Sequence, residues 1–168
     1  MRLATAMLGV ILVGCGGVAS PESAQQIAGR SFESIAVTEA GEPRPLVDEP
    51  IQAFFIEPVD AQREELATLD EQLDAGTVVL FAWTSGCNWH NMFFEVSAQQ
   101  LREVTVEETG GGSTAMGCEP LAKSDEEAWL SQFFSETLRW ELEDGRLLLS
   151  ANNVEVELQE TDDPVPQP

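Results

Sequence analysis

Apolar and polar residues alternate with a period of two along much of this chain, a pattern typical of β-strands with one buried face. The strands predicted before the clearest helical segment are residues 30–37, 51–56, 77–83, 89–96 and 102–107. Residues 102–107 show the alternation, whereas residues 51–56 are dense in apolar and aromatic side chains. Residues 77–83 are apolar on both alternating sets, which predicts a central strand covered on two sides. Alternation resumes over residues 140–158, where Asp144-Gly145 and Asn152-Asn153 predict the turns of a three-stranded meander.

Two stretches change to a helical period. Residues 60–74 carry leucines at helical spacing behind Asp60, an expected N-cap, and predict a short helix over a sheet edge or on the surface. Residues 124–139 predict the main helix, because Ser124 and Glu127 form a capping-box pattern. Its broad apolar face consists of Trp129, Leu130, Phe133, Phe134 and Leu138. We therefore expect one packed amphipathic helix in a mainly β domain.

The first residues have the order of a secretory signal. Arg2 precedes an apolar run over residues 3–13, which is shorter than the roughly 20 residues of a spanning helix. Leu12-Val13-Gly14-Cys15 resembles the bacterial lipobox, which implies a signal peptide over residues 1–14 and a lipid on Cys15. The alternative is an ordinary signal cut after Ala19. Residues 15–28 then predict a flexible tether, and the polar, proline-rich residues 159–168 a disordered tail.

The composition is strongly acidic. Thirty acidic residues oppose eight basic ones, for a net charge of -22. Such a field repels phosphate backbones, so nucleic acid is excluded as an expected partner. A solvated acidic surface, as in proteins from salty habitats or GC-rich genomes, accounts for the charge without a cationic ligand.

Two cysteines and one histidine are the residues with candidate chemistry. In an oxidising compartment Cys87 and Cys118 are expected to form a disulfide, which across the 31 residues from 87 to 118 stabilises by roughly 3–4 kcal/mol. Two buried free cysteines, or a reactive thiol or metal site that also uses His90, are the alternatives. The close ligand spacing of known metal motifs is missing, so neither a metal nor a cofactor is expected.

Several motifs in order resemble the META domain, also called the HslJ-like family of bacterial envelope proteins. They are Gly29-Arg30-Ser31-Phe32, Gly86-Cys87-Asn88, Thr114-Ala115-Met116-Gly117-Cys118, Glu127 with Trp129 and Leu130, and the hairpin from Leu147 to Leu158. The resemblance covers residues 29–158. It implies an antiparallel curled sheet or partial barrel with one packed helix, and a loose link to heat shock, envelope stress or drug tolerance. Gly86, Asn88, Thr114 and Met116 are its structural motif residues, and it supplies no catalytic residues.

These observations together predict a non-enzymatic binding or stress-tolerance protein of the cell envelope. It would be anchored through Cys15 at the periplasmic face of the outer membrane or at the cell surface. Its expected partners are the membrane and an envelope protein or small ligand. The alternative function is a thiol- or metal-dependent redox or binding protein that uses Cys87, Cys118 and His90.

Overall fold

A computed structural model describes residues 19–47, 49–69, 74–104, 112–114, 119 and 121–165. The described strands are β1 (Arg30–Glu39), β2 (Glu42–Pro43), β3 (Gln52–Ile56), β4 (Val78–Thr84), β5 (His90–Val96), β6 (Gln100–Val104), β7 (Leu138–Glu143), β8 (Arg146–Ala151) and β9 (Val154–Thr161). The helices are α1 (Pro21–Ile27), α2 (Asp60–Leu69), α3 (Leu121–Phe134) and a short 3-10 turn at Ala75–Thr77. The mainly β, antiparallel class expected from the sequence is confirmed.

The sheet closes on itself. From β3 to β9 each strand pairs antiparallel with the next, and β1 pairs with both β3 and β9. β1 and β3 to β9 therefore form a closed eight-stranded barrel, with the two-residue β2 beside the end of β1. The expected partial barrel is corrected to a closed one, because β9 runs the full length of β1, from Ser31 opposite Thr161 to Glu39 opposite Val154.

An ion pair fastens this seam between the first and last strands. Arg30 binds Glu160 with two guanidinium nitrogens, and the Nε to Oε1 distance is 2.7 Å. The hydrogen bond from Arg30 holds the pKa of Glu160 below its ordinary value, although burial opposes the shift. The same contact raises the pKa of Arg30.

Large side chains fill the barrel interior. Phe32, Phe55, Phe81, Trp83 and Phe94 are all at most 1% exposed, and they lie in one cluster with the inward residues of β7, β8 and β9. Neighbouring rings are in direct contact, for example Phe55 and Phe81 at 4.9 Å between centroids. Each such side chain stabilises the fold by about 1.5–3 kcal/mol.

A second, smaller core lies outside the barrel. Phe54, Leu80 and Phe93 point outward from β3, β4 and β5, and Leu66 of α2 covers them. The prediction that β4 is covered on two sides is confirmed, since every one of its residues is buried. Of the two positions expected for this helix, over a sheet edge or packed on the surface, α2 takes the second: it packs on the outer face of the sheet, because both faces of these strands are apolar.

A helix covers each end of the barrel. α3 connects β6 to β7 at the end where β4 stops and β5 starts, here called the α3 end, and it inserts Leu130 and Phe134 at 0% exposure. α1 precedes β1 at the opposite end, the α1 end, and inserts Ile27, also at 0% exposure. The described residues thus contain three α-helices: α3 and α2, both expected from the sequence, and α1, which was not predicted.

The predicted tether over residues 15–28 is wrong for its second half. α1 begins after Ser20, whose side chain accepts a hydrogen bond from the backbone of Ser23, and Pro21 occupies the first turn. Ala24 and Ile27 give it a small apolar face that packs into the barrel core. Burial of that face explains why a short polar segment becomes ordered.

The predicted disordered tail over residues 159–168 is also wrong in part. β9 continues to Thr161 because it pairs with β1. Beyond it, Ser31 donates a hydrogen bond to the carbonyl oxygen of Asp163 at 2.5 Å, and Val165 packs on the outer core. Pairing and burial at β1 thus override the polar composition of this segment.

The bounds of the main helix differ from those predicted. α3 starts at Leu121 and ends at Phe134, so Ser124 lies inside the helix and is not its N-cap. Leu138, read as part of the helix, belongs to β7. The turn prediction at Asp144-Gly145 is confirmed, since φ is 50° and 77° at these residues, as a type I′ turn requires.

Candidate functional site at the α3 end

A tight turn follows β4 and carries Gly86, Cys87 and Asn88. Gly86 adopts a φ of +89°, and a Cβ at this position would lie 2.6 Å from the Glu49 Oε2 atom. A side chain here would be strained in its backbone, whereas the nearby Glu49 carboxylate is the end of an exposed, flexible side chain and can move aside. The positive φ of this turn therefore favours glycine.

Asn88 joins this turn to two distant segments. Its side chain is buried, with Nδ2 donating to Glu127 Oε2 of α3 at 3.0 Å and Oδ1 accepting from Thr114 Oγ1 at 3.2 Å. Thr114 in turn pairs with the backbone of Trp89, where its N donates to the carbonyl oxygen and its Oγ1 accepts from the N–H, both at 3.0 Å. The motif residues Asn88 and Thr114 therefore meet in space although 26 residues separate them.

His90 completes the cluster. Its Nε2 lies 2.5 Å from Glu127 Oε1, and the two side chains are only 15% and 12% exposed. A carboxylate accepts hydrogen bonds, so Nε2 is the donor. The ring also stacks on Trp83, with centroids 4.2 Å apart and planes 10° from parallel. We call Asn88, His90, Thr114 and Glu127 the α3 clasp, because Glu127 ties the helix to β5 and the turn.

Cys87 lies beside the clasp. It is disulfide-bonded, and its Sγ is 3.6 Å from Asn88 Nδ2. Cys118, the partner expected from the sequence, lies outside the described residues, as do Cys15 and Met116. The pairing of Cys87 with Cys118 thus stays a prediction.

The clasp has the residue types of an acid–base site, but its geometry favours a structural role. One face of His90 is covered by Trp83, and Glu127 is shared between the imidazole and an amide. In the part of the chain that the structure describes, no three histidine, cysteine or acidic residues are grouped to hold a metal ion. The clasp fixes the position of α3 over the barrel end.

The same helix holds the proline-rich segment after β2. Glu126 is 6% exposed and accepts a hydrogen bond from the backbone N–H of Val47 at 2.6 Å. Arg44 lies over the ring of Trp129 at 3.9 Å and pairs with Glu39. The adjacent acidic residues Glu126 and Glu127 of α3 thus bind different segments.

The fold and the clasp define a class of protein: a closed antiparallel barrel with a filled interior and helices over both ends. Searches against family models and curated proteins find no match. Solved structures with a similar fold include one described as an NMR structure of a protein from Burkholderia xenovorans, with a TM-score of 0.57 and 14% identity. That match covers 96% of this chain and 100% of the other.

A second solved structure, also determined by NMR, has a TM-score of 0.51 and 16% identity. It covers 84% of this chain and 95% of the other. At such identities the likeness concerns the fold alone.

Among the described residues, no helix has both the length and the apolar character to cross a membrane.

Proposed function

We propose that the chain is a lipid-anchored protein of the cell envelope, of the META or HslJ-like type, whose barrel is a non-enzymatic binding or stress-tolerance module. The observation that carries the proposal is the filled barrel. Its interior is occupied by aromatic and aliphatic side chains, and α1 and α3 cover the two ends. A ligand or partner would therefore bind on the outer surface.

The proposed anchor is close to the folded domain. Ala19 pairs with Ser97, so residues 16–18 alone separate Cys15 from the first described contact. Four residue steps reach at most roughly 14 Å. A lipid on Cys15 would thus hold the α1 end of the barrel near the bilayer and leave the α3 end facing away from it.

The role in stress tolerance is supported by the way the chain is cross-linked. Cys87 is disulfide-bonded next to the α3 clasp, and Arg30 with Glu160 fastens the barrel seam. The Arg30–Glu160 pair joins segments 130 residues apart, so it stabilises the closed barrel as a unit. Resistance to unfolding is the property that a protective envelope protein needs.

Mass spectrometry of the mature protein tests the anchor. The expected N-terminal peptide begins at Cys15 and carries the mass of a lipid, and Cys15→Ser should move the protein to the soluble fraction. Cys87→Ser is the matched control, which should stay with the membrane. A mature protein that begins at Ser20 without added lipid would refute the anchor.

A second candidate function is a thiol- or metal-dependent protein. The observation in its favour is that Asn88 contacts both Cys87 and Glu127, and that Glu127 also contacts His90. Alkylation without reductant distinguishes the two functions. Rapid labelling of Cys87 and Cys118 in the native protein, or tight binding of Zn²⁺, would support the thiol or metal function.

A further inference from the structure

A polar cavity lies on the outer surface at the α3 end, between the β1–β2 turn, the start of β7 and the β8–β9 turn. Its volume is about 630 Å³. The polar side chains on its wall, apart from two charged ones, are Thr38, Thr137, Ser150, Asn152 and Asn153. The described structure records no hydrogen bond from any of these five side chains to the protein, so their donors and acceptors are available to a ligand.

Arg139 supplies the positive charge of this cavity. The other described arginines each pair with a glutamate, as Arg146 does with Glu157 on the same wall of the barrel. Arg139 makes no ion pair or hydrogen bond with its side chain in the described structure. An unpaired arginine is notable in a chain with thirty acidic and eight basic residues.

Glu155 supplies a negative charge on the opposite side. Arg139 lies across from Ser150 on β8, and Ser150 lies across from Glu155 on β9. Neighbouring strands are about 4.8 Å apart, which puts the backbones of the two charged residues about 10 Å from each other. The two side chains form no ion pair, so each charge is free for a ligand placed over Ser150.

Strained turns shape the cavity. Of the three described non-glycine residues with positive φ, Ala40 at 54° and Asn152 at 53° both line it. The Ala40 N–H donates to the carbonyl oxygen of Asn153 at 2.7 Å, which joins the two turns. This bond holds the two hairpin turns side by side as one wall of the cavity.

We propose that this cavity binds a small zwitterion of the amino-acid type, with its carboxylate on Arg139 and its ammonium group on Glu155. A simple anion would be repelled by the net charge of -22 and by Glu155, whereas a zwitterion is neutral overall. Arginine binds carboxylates through charge-assisted hydrogen bonds, and the hydroxyl and amide groups serve the remaining polar atoms. The inference deepens the proposed binding role and does not depend on the lipid.

Heteronuclear NMR titration with alanine tests the site, with acetate and alaninamide as probes that carry one charge each. Alanine should give saturable shifts at residues of the two turns, and both single-charge probes should bind more weakly. Arg139→Gln should weaken alanine binding by about tenfold or more, since it removes a hydrogen bond to a charged group. Arg146→Gln is the control, because it removes the same charge from an arginine that is already paired, and it should leave binding unchanged.

Shifts that rise linearly without saturation, acetate binding as tight as alanine binding, or equal losses in the two variants would overturn the proposal. Glu155→Gln should reduce the preference for alanine over acetate, and an unchanged preference would contradict the assigned ammonium contact. If Cys15 carries a lipid but alanine does not bind, the proposed ligand is wrong while the proposed lipid-anchored protein is still supported.

Discussion

Replacing Glu127 by glutamine tests whether the α3 clasp holds the helix over the barrel. The carboxylate accepts from Asn88 at 3.0 Å and from His90 at 2.5 Å. A glutamine has the same shape but offers one oxygen, so its NH₂ group would face one of the two donors. The imidazole of His90 can accept from that NH₂ group in its other tautomer, but both hydrogen bonds then lose their charged acceptor. We expect a loss of about 1.5–3 kcal/mol in the free energy of unfolding.

Urea unfolding measures this loss, which should lower the midpoint and leave the slope unchanged. Asp125→Asn is the control, since it removes the same charge from an exposed position of α3 and should change stability by less than about 0.5 kcal/mol. In a double-mutant cycle with His90→Gln, the coupling energy should be about 0.5 kcal/mol or more. Equal effects of Glu127→Gln and Asp125→Asn, or fully additive losses, would refute the clasp.

Three further predictions concern helix α1, the turn at Gly86 and the seam between β1 and β9. Ile27→Ala should cost about 2–5 kcal/mol in urea unfolding, as for other core truncations, and a negligible loss would return α1 to the role of a tether. Gly86→Ala should lower the melting temperature more than Gly112→Ala, because only Gly86 has a positive φ, which strains alanine; equal losses would contradict the turn. The pKa of Glu160 is lowered by Arg30, so its contribution to stability is present above the ordinary carboxyl pKa and lost as the pH falls through the folded value. Glu160→Gln should therefore flatten the acid side of the stability profile, and an unchanged profile would refute the role of the pair.

Most of the strands could be predicted from the sequence because their signal is local. β4 carries apolar residues at every position, and the structure buries both of its faces. The meander from β7 to β9 follows from alternation and from an Asp-Gly turn. In such segments the polarity of each residue indicates directly whether its side chain faces the core or the solvent.

The closure of the barrel and the helix α1 are marked less clearly in the sequence. The pairing of β1 with β9 joins residues about 130 apart, such as Arg30 and Glu160, and nothing local marks the two strands as partners. α1 does have a signal in Ser20 followed by Pro21 and Glu22, the order of a helix start. Its apolar face is too small to be recognised as amphipathic until the barrel end that buries it is known.

The contacts of the α3 clasp could likewise be predicted only in part from the sequence. The motif residues Asn88 and Thr114 were recognised by resemblance, and the structure brings them together. Their partner Glu127 was read as half of a capping box with Ser124. Since α3 starts three residues earlier, at Leu121, Glu127 lies on the helix face toward β5 and bonds His90 instead. The mistaken helix start therefore concealed the function of this carboxylate.

The cavity and the proposed anchor lie at opposite ends of the barrel, so the two proposals are compatible with each other. The cavity lies where β1 and β8 end and where β7 and β9 begin, whereas the segment leading to Cys15 joins the opposite end of the barrel. β1 alone, from Arg30 to Glu39, extends about 30 Å between these ends at the rise of a β-strand. With Cys15 in the bilayer, the cavity would face away from the membrane and would be open to small molecules in solution. A filled interior and an exposed site at the far end suit a protein that binds solutes near a membrane without transporting them through its core.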